Sequence, residues 1–194
     1  MRTLAWGAAL ASAAAGLGHL ALRTTEGAKK DLELFRAVNQ GHGPEADRYF
    51  GGVTELGSLY ASAAAAGTLA ALGRPRAAGR AVAAAGFTWL LGQGLKKLVL
   101  RPRPYDAPAH RSRTLIAAPP GTSWPSSHPA VLTTFTRVAA RELGLGASSR
   151  AALTALDLSV ATSRVYLGVH YPSDVASGLL MGRAVARLWP RGRS

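Results

Sequence analysis

Ser163-Arg164-Val165-Tyr166-Leu167-Gly168-Val169-His170-Tyr171-Pro172-Ser173-Asp174 joins two apolar blocks, about Ala151 to Val165 before it and Val175 to Trp189 after it. Pro172 stands where a new helix can begin, so the run reads as the short polar link between two helices. The same alternation recurs outward from this point. Further apolar blocks run from about Leu4 to Leu22, Leu56 to Leu72, Ala81 to Leu95 and Pro129 to Ala140. No strand pattern competes with them, and the chain reads as all-α.

Length and composition narrow the class. The 194 residues suit one domain spanning 1–194. Lys and Arg number 23 against 10 Asp and Glu, a formal net charge of +13, which suits an anionic partner. The few aromatic residues form no nucleic-acid-binding signature, so nucleic acid is not an expected partner. The absence of cysteine excludes disulfides, thiolate metal sites and thiol nucleophiles. Mean hydropathy is only +0.10, because charges are bunched between the apolar blocks.

The blocks predict an integral membrane bundle of about six crossing helices, although several are shorter than the roughly 20 residues a bilayer prefers. Arg137, Asp157, Arg183 and Arg187 lie within them and must face the bundle interior, pair, or snorkel. Abundant Ala and Gly suit close helix packing. The competing readings are a cleaved signal peptide for the first block and a soluble helical bundle for the whole. Loop charge favours the membrane. Arg74, Arg76 and Arg80, then Arg141 and Arg150, then Arg191 and Arg193 fall on one side if the N-terminus is cytoplasmic. Segments 23–55, 96–128 and 166–174 then share the outer side, with Lys29, Lys30 and Arg36 against the rule. Lys29 to Phe50 reads as an interfacial amphipathic helix.

Three polar clusters occupy that outer side. In Lys96-Lys97-Leu98-Val99-Leu100-Arg101-Pro102-Arg103-Pro104, the prolines stop a helix beside its cations. Trp124-Pro125-Ser126-Ser127-His128-Pro129 opens an apolar helix, offering hydroxyls and free backbone N–H groups to an anion. His170 and Asp174 are four apart, a spacing that lets the carboxylate hold the imidazole in one tautomer. Each cluster alone is ordinary: a basic interface flank, an N-cap, a structural His–Asp pair. Together they supply two histidines, a carboxylate, several cations and a helix start, the equipment for moving a phosphoryl group. No carboxylate or histidine cluster has metal-ligand spacing, so neither metal nor other cofactor is expected.

The three clusters resemble the type 2 phosphatidic acid phosphatase superfamily, which also includes bacterial acid phosphatases and vanadium haloperoxidases. Its signature is Lys-x6-Arg-Pro, Pro-Ser-Gly-His, and Ser-Arg-x5-His-x3-Asp. Lys96 through Arg103-Pro104 fits the first, Pro125-Ser126-Ser127-His128 the second with one departure, and Ser163-Arg164 through His170 and Asp174 the third. The resemblance implies a metal-independent phosphatase of lipid phosphates or diphosphates in the cytoplasmic membrane, multi-pass, with its site at the extracytoplasmic interface. It implies that Lys96, Arg103 and Arg164 bind phosphate oxygens with the Ser126 hydroxyl and Ser127 N–H. It makes His170 the nucleophile, Asp174 its orienting partner and His128 the proton donor. Ser127 replaces the family's glycine, and its side chain is expected to crowd the phosphate or bend the backbone. A polyprenyl (di)phosphate is the preferred substrate, ahead of other phospholipid phosphates. Alternatives are a soluble acid phosphatase or haloperoxidase-like enzyme, and a non-catalytic binder of anionic lipid. Lys97, Arg101 and Asp106 are assigned to headgroup or interface contacts, and His42 and His110 to solvated loops.

Overall fold

Alanine is the commonest residue on the buried faces of the described helices, followed by valine, and small side chains let helix axes approach closely. A computed structural model describes residues 5, 7, 9–16, 24–107 and 112–192. A helical stretch at 9–16 precedes α1 (Thr25–Asn39), α2 (Pro44–Val53) and α3 (Leu59–Ala71). There follow α4 (Pro75–Leu98), α5 (Ser127–Glu142), α6 (Ala147–Tyr166) and α7 (Pro172–Leu188). One-turn 3-10 segments cover Thr54–Gly57 and Pro104–Asp106. The five later apolar blocks each become a helix, and the described residues contain no strand. About half of the first block, including 17–22, lies outside the described residues.

At the centre, α5 packs against α4, α6 and α7. Ala81, Ala84 and Ala85 of α4 are fully buried against Val131, Phe135 and Val138 of α5. A buried hydroxyl pair, Thr88 to Thr134 at 2.9 Å, crosses the same contact. Between α5 and α7 the backbones nearly touch. A Cβ on Gly182 would lie 2.5 Å from the Ala130 carbonyl oxygen, and one on Gly178 would collide with the Ser126 carbonyl. Gly178 and Gly182 are thus needed to bring the two helix starts together.

Lys29 to Phe50 is not one amphipathic helix. Gly41 and Gly43 take φ of +92° and +93°, which ends α1 and lets Pro44 start α2. Phe35 of α1 is buried on Ala161, Val165 and Tyr171, so this segment serves the core. Buried Asn39 then clips the loop at Arg113 to the end of α6, donating to the Arg113 and Tyr166 carbonyls at 2.9 and 2.8 Å.

The bundle has two chemically distinct ends. The N-termini of α5 and α7 and the C-termini of α4 and α6 meet at the end that holds the three polar clusters. At the other end Arg80 pairs with Glu142 at 3.0 Å, and Arg141 donates to the Ala186 carbonyl at 2.9 Å. The arginine loops and the candidate site therefore lie at opposite ends, as the loop charges predict. Among the described residues, no helix is long and apolar enough to cross a membrane.

Candidate active site

Arg101 precedes Pro102 and Arg103 precedes Pro104, and a residue before proline is driven to extended backbone. Two extended residues spaced by two point to one side of the chain. Both guanidinium groups accordingly reach the link between α6 and α7.

Arg103 is buried and surrounded by acceptors. Its Nε donates to the Gly121 carbonyl at 2.9 Å and its Nη1 to the Val169 carbonyl at 3.0 Å. Nη1 also stands 3.3 Å from Nε2 of His170. Arginine can only donate, so Nε2 carries the lone pair and Nδ1 carries the proton. That Nδ1–H faces Asp174 Oδ2 at 3.5 Å and the Ser123 hydroxyl at 3.5 Å. The Ser123 hydroxyl in turn donates to the same Asp174 oxygen. Asp174 also accepts the Tyr171 N–H at 2.8 Å, which caps the start of α7. His170 itself lies just before the helix, held by its N–H on the Arg164 carbonyl at 3.2 Å.

Burial of His170 holds its pKa far below the ordinary imidazole value, at about 3. Asp174 pulls the other way, and Arg164 and Arg103 add to the lowering, so the ring is neutral. Burial also pushes Asp174 upward, but the His170 bond and the Arg101 charge outweigh it, and the carboxyl stays ionised. His128, in the first turn of α5, is held well below the imidazole range by burial. The charges of Arg164, Lys96 and Arg103 press it further down. That shared influence puts both histidines in one electrostatic cluster with three cations.

The remaining residues complete a cradle. Lys96 Nζ donates to the Thr122 carbonyl at 2.7 Å, and the Thr122 hydroxyl returns a bond to the Lys96 carbonyl at 3.0 Å. Burial, then Arg103, lowers the Lys96 pKa to about 8. Arg164 Nη1 donates to buried Thr54 at 2.7 Å, while its Nε has no acceptor among the described residues. The Ser126 and Ser127 hydroxyls are likewise buried without partners among the described residues. The first-turn N–H groups of α5 have no side-chain cap. A mobile anion with several acceptor oxygens fits the Arg164 Nε, the Ser126 hydroxyl and these N–H groups.

Ser127 does not bend the backbone, since no described residue other than glycine has positive φ. Its hydroxyl sits beside Gly92 of α4, 3.4 Å from where a Cβ on that glycine would be. The side chain is stowed against the neighbouring helix.

Arg101 corrects the assignment to headgroup or interface contacts. It is buried between two buried carboxylates, 2.6 Å from Asp174 Oδ1 and 2.6 Å from Asp31 Oδ2. It also covers the Tyr171 ring at 4.0 Å. Asp31 reaches on to Ser173, accepting its N–H at 2.8 Å and its hydroxyl at 2.6 Å. The Arg-Pro-Arg-Pro spacing was a readable sign of Arg101. Asp31, Ser123 and Thr54 carry no local sign. Lys97 and Asp106 are exposed. His42 is exposed too, its ring stacked 5.9 Å from that of Tyr166. His110 lies outside the described residues.

An all-helical bundle that gathers two neutral histidines, three cations and an ionised carboxylate at one helix end defines a phosphate-handling class. Residues 77–193 match the PAP2 superfamily, and the chain belongs to it. It is 37% identical over 94 residues to a decaprenylphosphoryl-5-phosphoribose phosphatase from Mycobacterium tuberculosis, 48% of this chain and 49% of that protein. The chain thus spans about half the length of the curated relatives it matches. The crystal structure of Aquifex aeolicus LpxE superposes with a TM-score of 0.71 at 28% identity, covering 80% of this chain and 91% of that one. A transmembrane PAP2-type phosphatidylglycerolphosphate phosphatase from Bacillus subtilis shares the fold, with TM-score 0.70 over 95% of this chain and 90% of its own, at 22% identity.

Proposed function

We propose that the chain is a membrane-embedded lipid phosphate phosphatase that works through a phosphohistidine on His170. The observation that carries this is the setting of His170: Nε2 faces Arg103 within the cation cluster, while Nδ1 faces Ser123 and Asp174.

Lys96, Arg103 and Arg164 take the phosphate oxygens, with the Ser126 hydroxyl and the Ser127 N–H. Nε2 of His170 attacks phosphorus, forming a P–N bond as the bond to the lipid oxygen breaks. Asp174 stabilises the positive charge that develops on the ring. His128 gives its proton to the leaving lipid oxygen. A phosphate dianion offsets the cations that add to burial in lowering the His128 pKa, so substrate arrival favours the protonated form the step requires. Water then enters. His128 accepts a proton from it, the water oxygen attacks phosphorus, the P–N bond breaks and inorganic phosphate departs.

The substrate class rests on the surroundings. A cavity of about 580 Å³ lined by Phe87, Leu91, Leu95, Met181, Trp124 and Pro125 runs up to the loop before Ser126. Its walls suit an isoprenoid or acyl tail, and the mycobacterial relative's name contains a decaprenyl group. We therefore favour a polyprenyl phosphate or diphosphate. Phe87, Leu90, Leu98 and Leu100 are at least half exposed along one region, which suits lipid contact and a multi-pass location with the site near an interface.

The deciding experiment is phosphate release from a panel of lipid phosphates in micelles with EDTA, comparing wild type with His170→Ala. Release that vanishes in the variant is expected. Release that survives His170→Ala would remove His170 as nucleophile.

A further inference from the structure

Arg137 and Arg141 stand four apart on α5, and Arg183 and Arg187 four apart on α7, so each pair lies on one helix face. These faces converge with Arg150 of α6 and Arg191 beyond α7 around one cavity of about 560 Å³. It lies at the opposite end of the three helices that bear the catalytic groups. Arg137 lies nine residues beyond His128, or about 14 Å along the axis at ~1.5 Å per residue.

Six guanidinium groups share this space with a single lining carboxylate, Asp157, which is buried and bonded to the Thr136 hydroxyl at 3.1 Å. Glu142, nearby, is engaged by Arg80 at 3.0 Å and Arg141 at 3.2 Å. Arg137, Arg150, Arg183, Arg187 and Arg191 form no ion pair among the described residues. The Nε atoms of Arg137 and Arg183 are buried with no acceptor among the described residues, an unfavourable state in the absence of an anion. Helix dipoles do not account for the set. They favour cations at the C-termini of α5 and α7, but Arg150 stands in the first turn of α6, the positive end. Ala140, Leu153 and Ala186 supply an apolar wall beside the charges.

We infer that this cavity is a second anion site, taking a phosphate group, and that its ligand is the head group of an anionic phospholipid with its chains along the apolar wall. The arginines provide the forked donors that phosphate oxygens match. The inference is independent of the catalytic reading, since it concerns binding at the other end of the helices.

The test is thermal unfolding of the full chain in neutral detergent with added phosphatidylglycerol, phosphatidylcholine or inorganic pyrophosphate. It compares wild type with Arg137→Gln/Arg183→Gln and with Arg150→Gln/Arg187→Gln. Arg150 and Arg187 are exposed, so the second pair leaves the fold intact. Phosphatidylglycerol near a hundred times its Kd is expected to raise the wild-type Tm by about 5–10 °C, with most of that lost in both variants. Phosphatidylcholine is expected to do nothing. An equal shift from pyrophosphate, also lost in both variants, keeps the anion site and overturns the lipid source. A shift that persists in both variants belongs to the catalytic end and overturns the proposal, as does no shift from any anion.

Discussion

Arg101→Met is the sharpest perturbation the structure offers. The substitution keeps the length and apolar stem but removes the cation that two buried carboxylates share at 2.6 Å each. Breaking a buried ion pair by deleting one partner destabilises by about 3–5 kcal/mol, because the other charge stays buried and uncompensated. For a chain of this size that is a Tm loss of about 6–20 °C. Asp31→Asn should remove one stranded charge, so the double variant Arg101→Met/Asp31→Asn should lose less than the two singles combined, by about 1–3 kcal/mol. Differential scanning calorimetry in detergent reads the stability. A pH–rate profile reads the site: without Arg101, Asp174 protonates at higher pH and the acid limb of activity moves upward. A Tm within about 3 °C of wild type, or strictly additive variants, would refute the buried triad as a source of stability. An unmoved acid limb would refute its role in positioning Asp174.

The other predictions follow from single contacts. Lys96 loses its charge as pH rises through about 8, so kcat/KM should fall there through KM; Lys96→Arg should carry that limb higher, and an unchanged limb would assign it elsewhere. Ser127→Gly should keep wild-type turnover, because its hydroxyl rests beside Gly92; a large loss of rate would give that hydroxyl a role on phosphate. Gly57→Ala places a methyl 2.8 Å from the His128 Cβ and should lower kcat by up to about 100-fold; full activity would show that His128 tolerates displacement. Both histidines are neutral when folded, so below about pH 6.5 the unfolded chain binds more protons and stability falls with pH. For His170 the loss extends down to about pH 3. The slope approaches about 1.4 kcal/mol per pH unit for each histidine; His170→Asn should flatten it, and an unaltered slope would contradict the buried neutral ring.

What the sequence disclosed was local or periodic. Apolar blocks separated by Pro, Gly and charge marked five helices. His128, His170, Asp174, Lys96, Arg103 and Arg164 could be named as candidates because each belongs to a short run whose spacing has a chemical meaning. The break between α1 and α2 was readable too: Gly41-His42-Gly43-Pro44 ends one helix and opens another, and spaced apolar residues on either side masked it. Asp31 was beyond reach. It meets Arg101 across 70 residues of chain, and an acidic residue on a surface-patterned helix is ordinarily solvated. Arg101 had a local sign in its place before Pro102, but a cation among basic neighbours reads as interface until its partners are known. Helix length also resists reading. The bundle's helices carry enough alanine and charge that none among those described meets the usual measure of a membrane span, so lipid contact has to be argued from exposed Phe87, Leu90 and Leu98.

The approach of α5 and α7 over Gly178 and Gly182 has a consequence for redesign. The Ser126 N–H bonds the Asp174 carbonyl at 3.1 Å, tying the two helix starts main chain to main chain. The gauge between the proposed catalytic groups is therefore fixed by backbone atoms. The walls at Phe87, Leu91 and Met181 lie off that gauge and can be recut for a different tail while the chemistry keeps its spacing. An engineer seeking a new lipid specificity should vary those walls and leave the glycines alone.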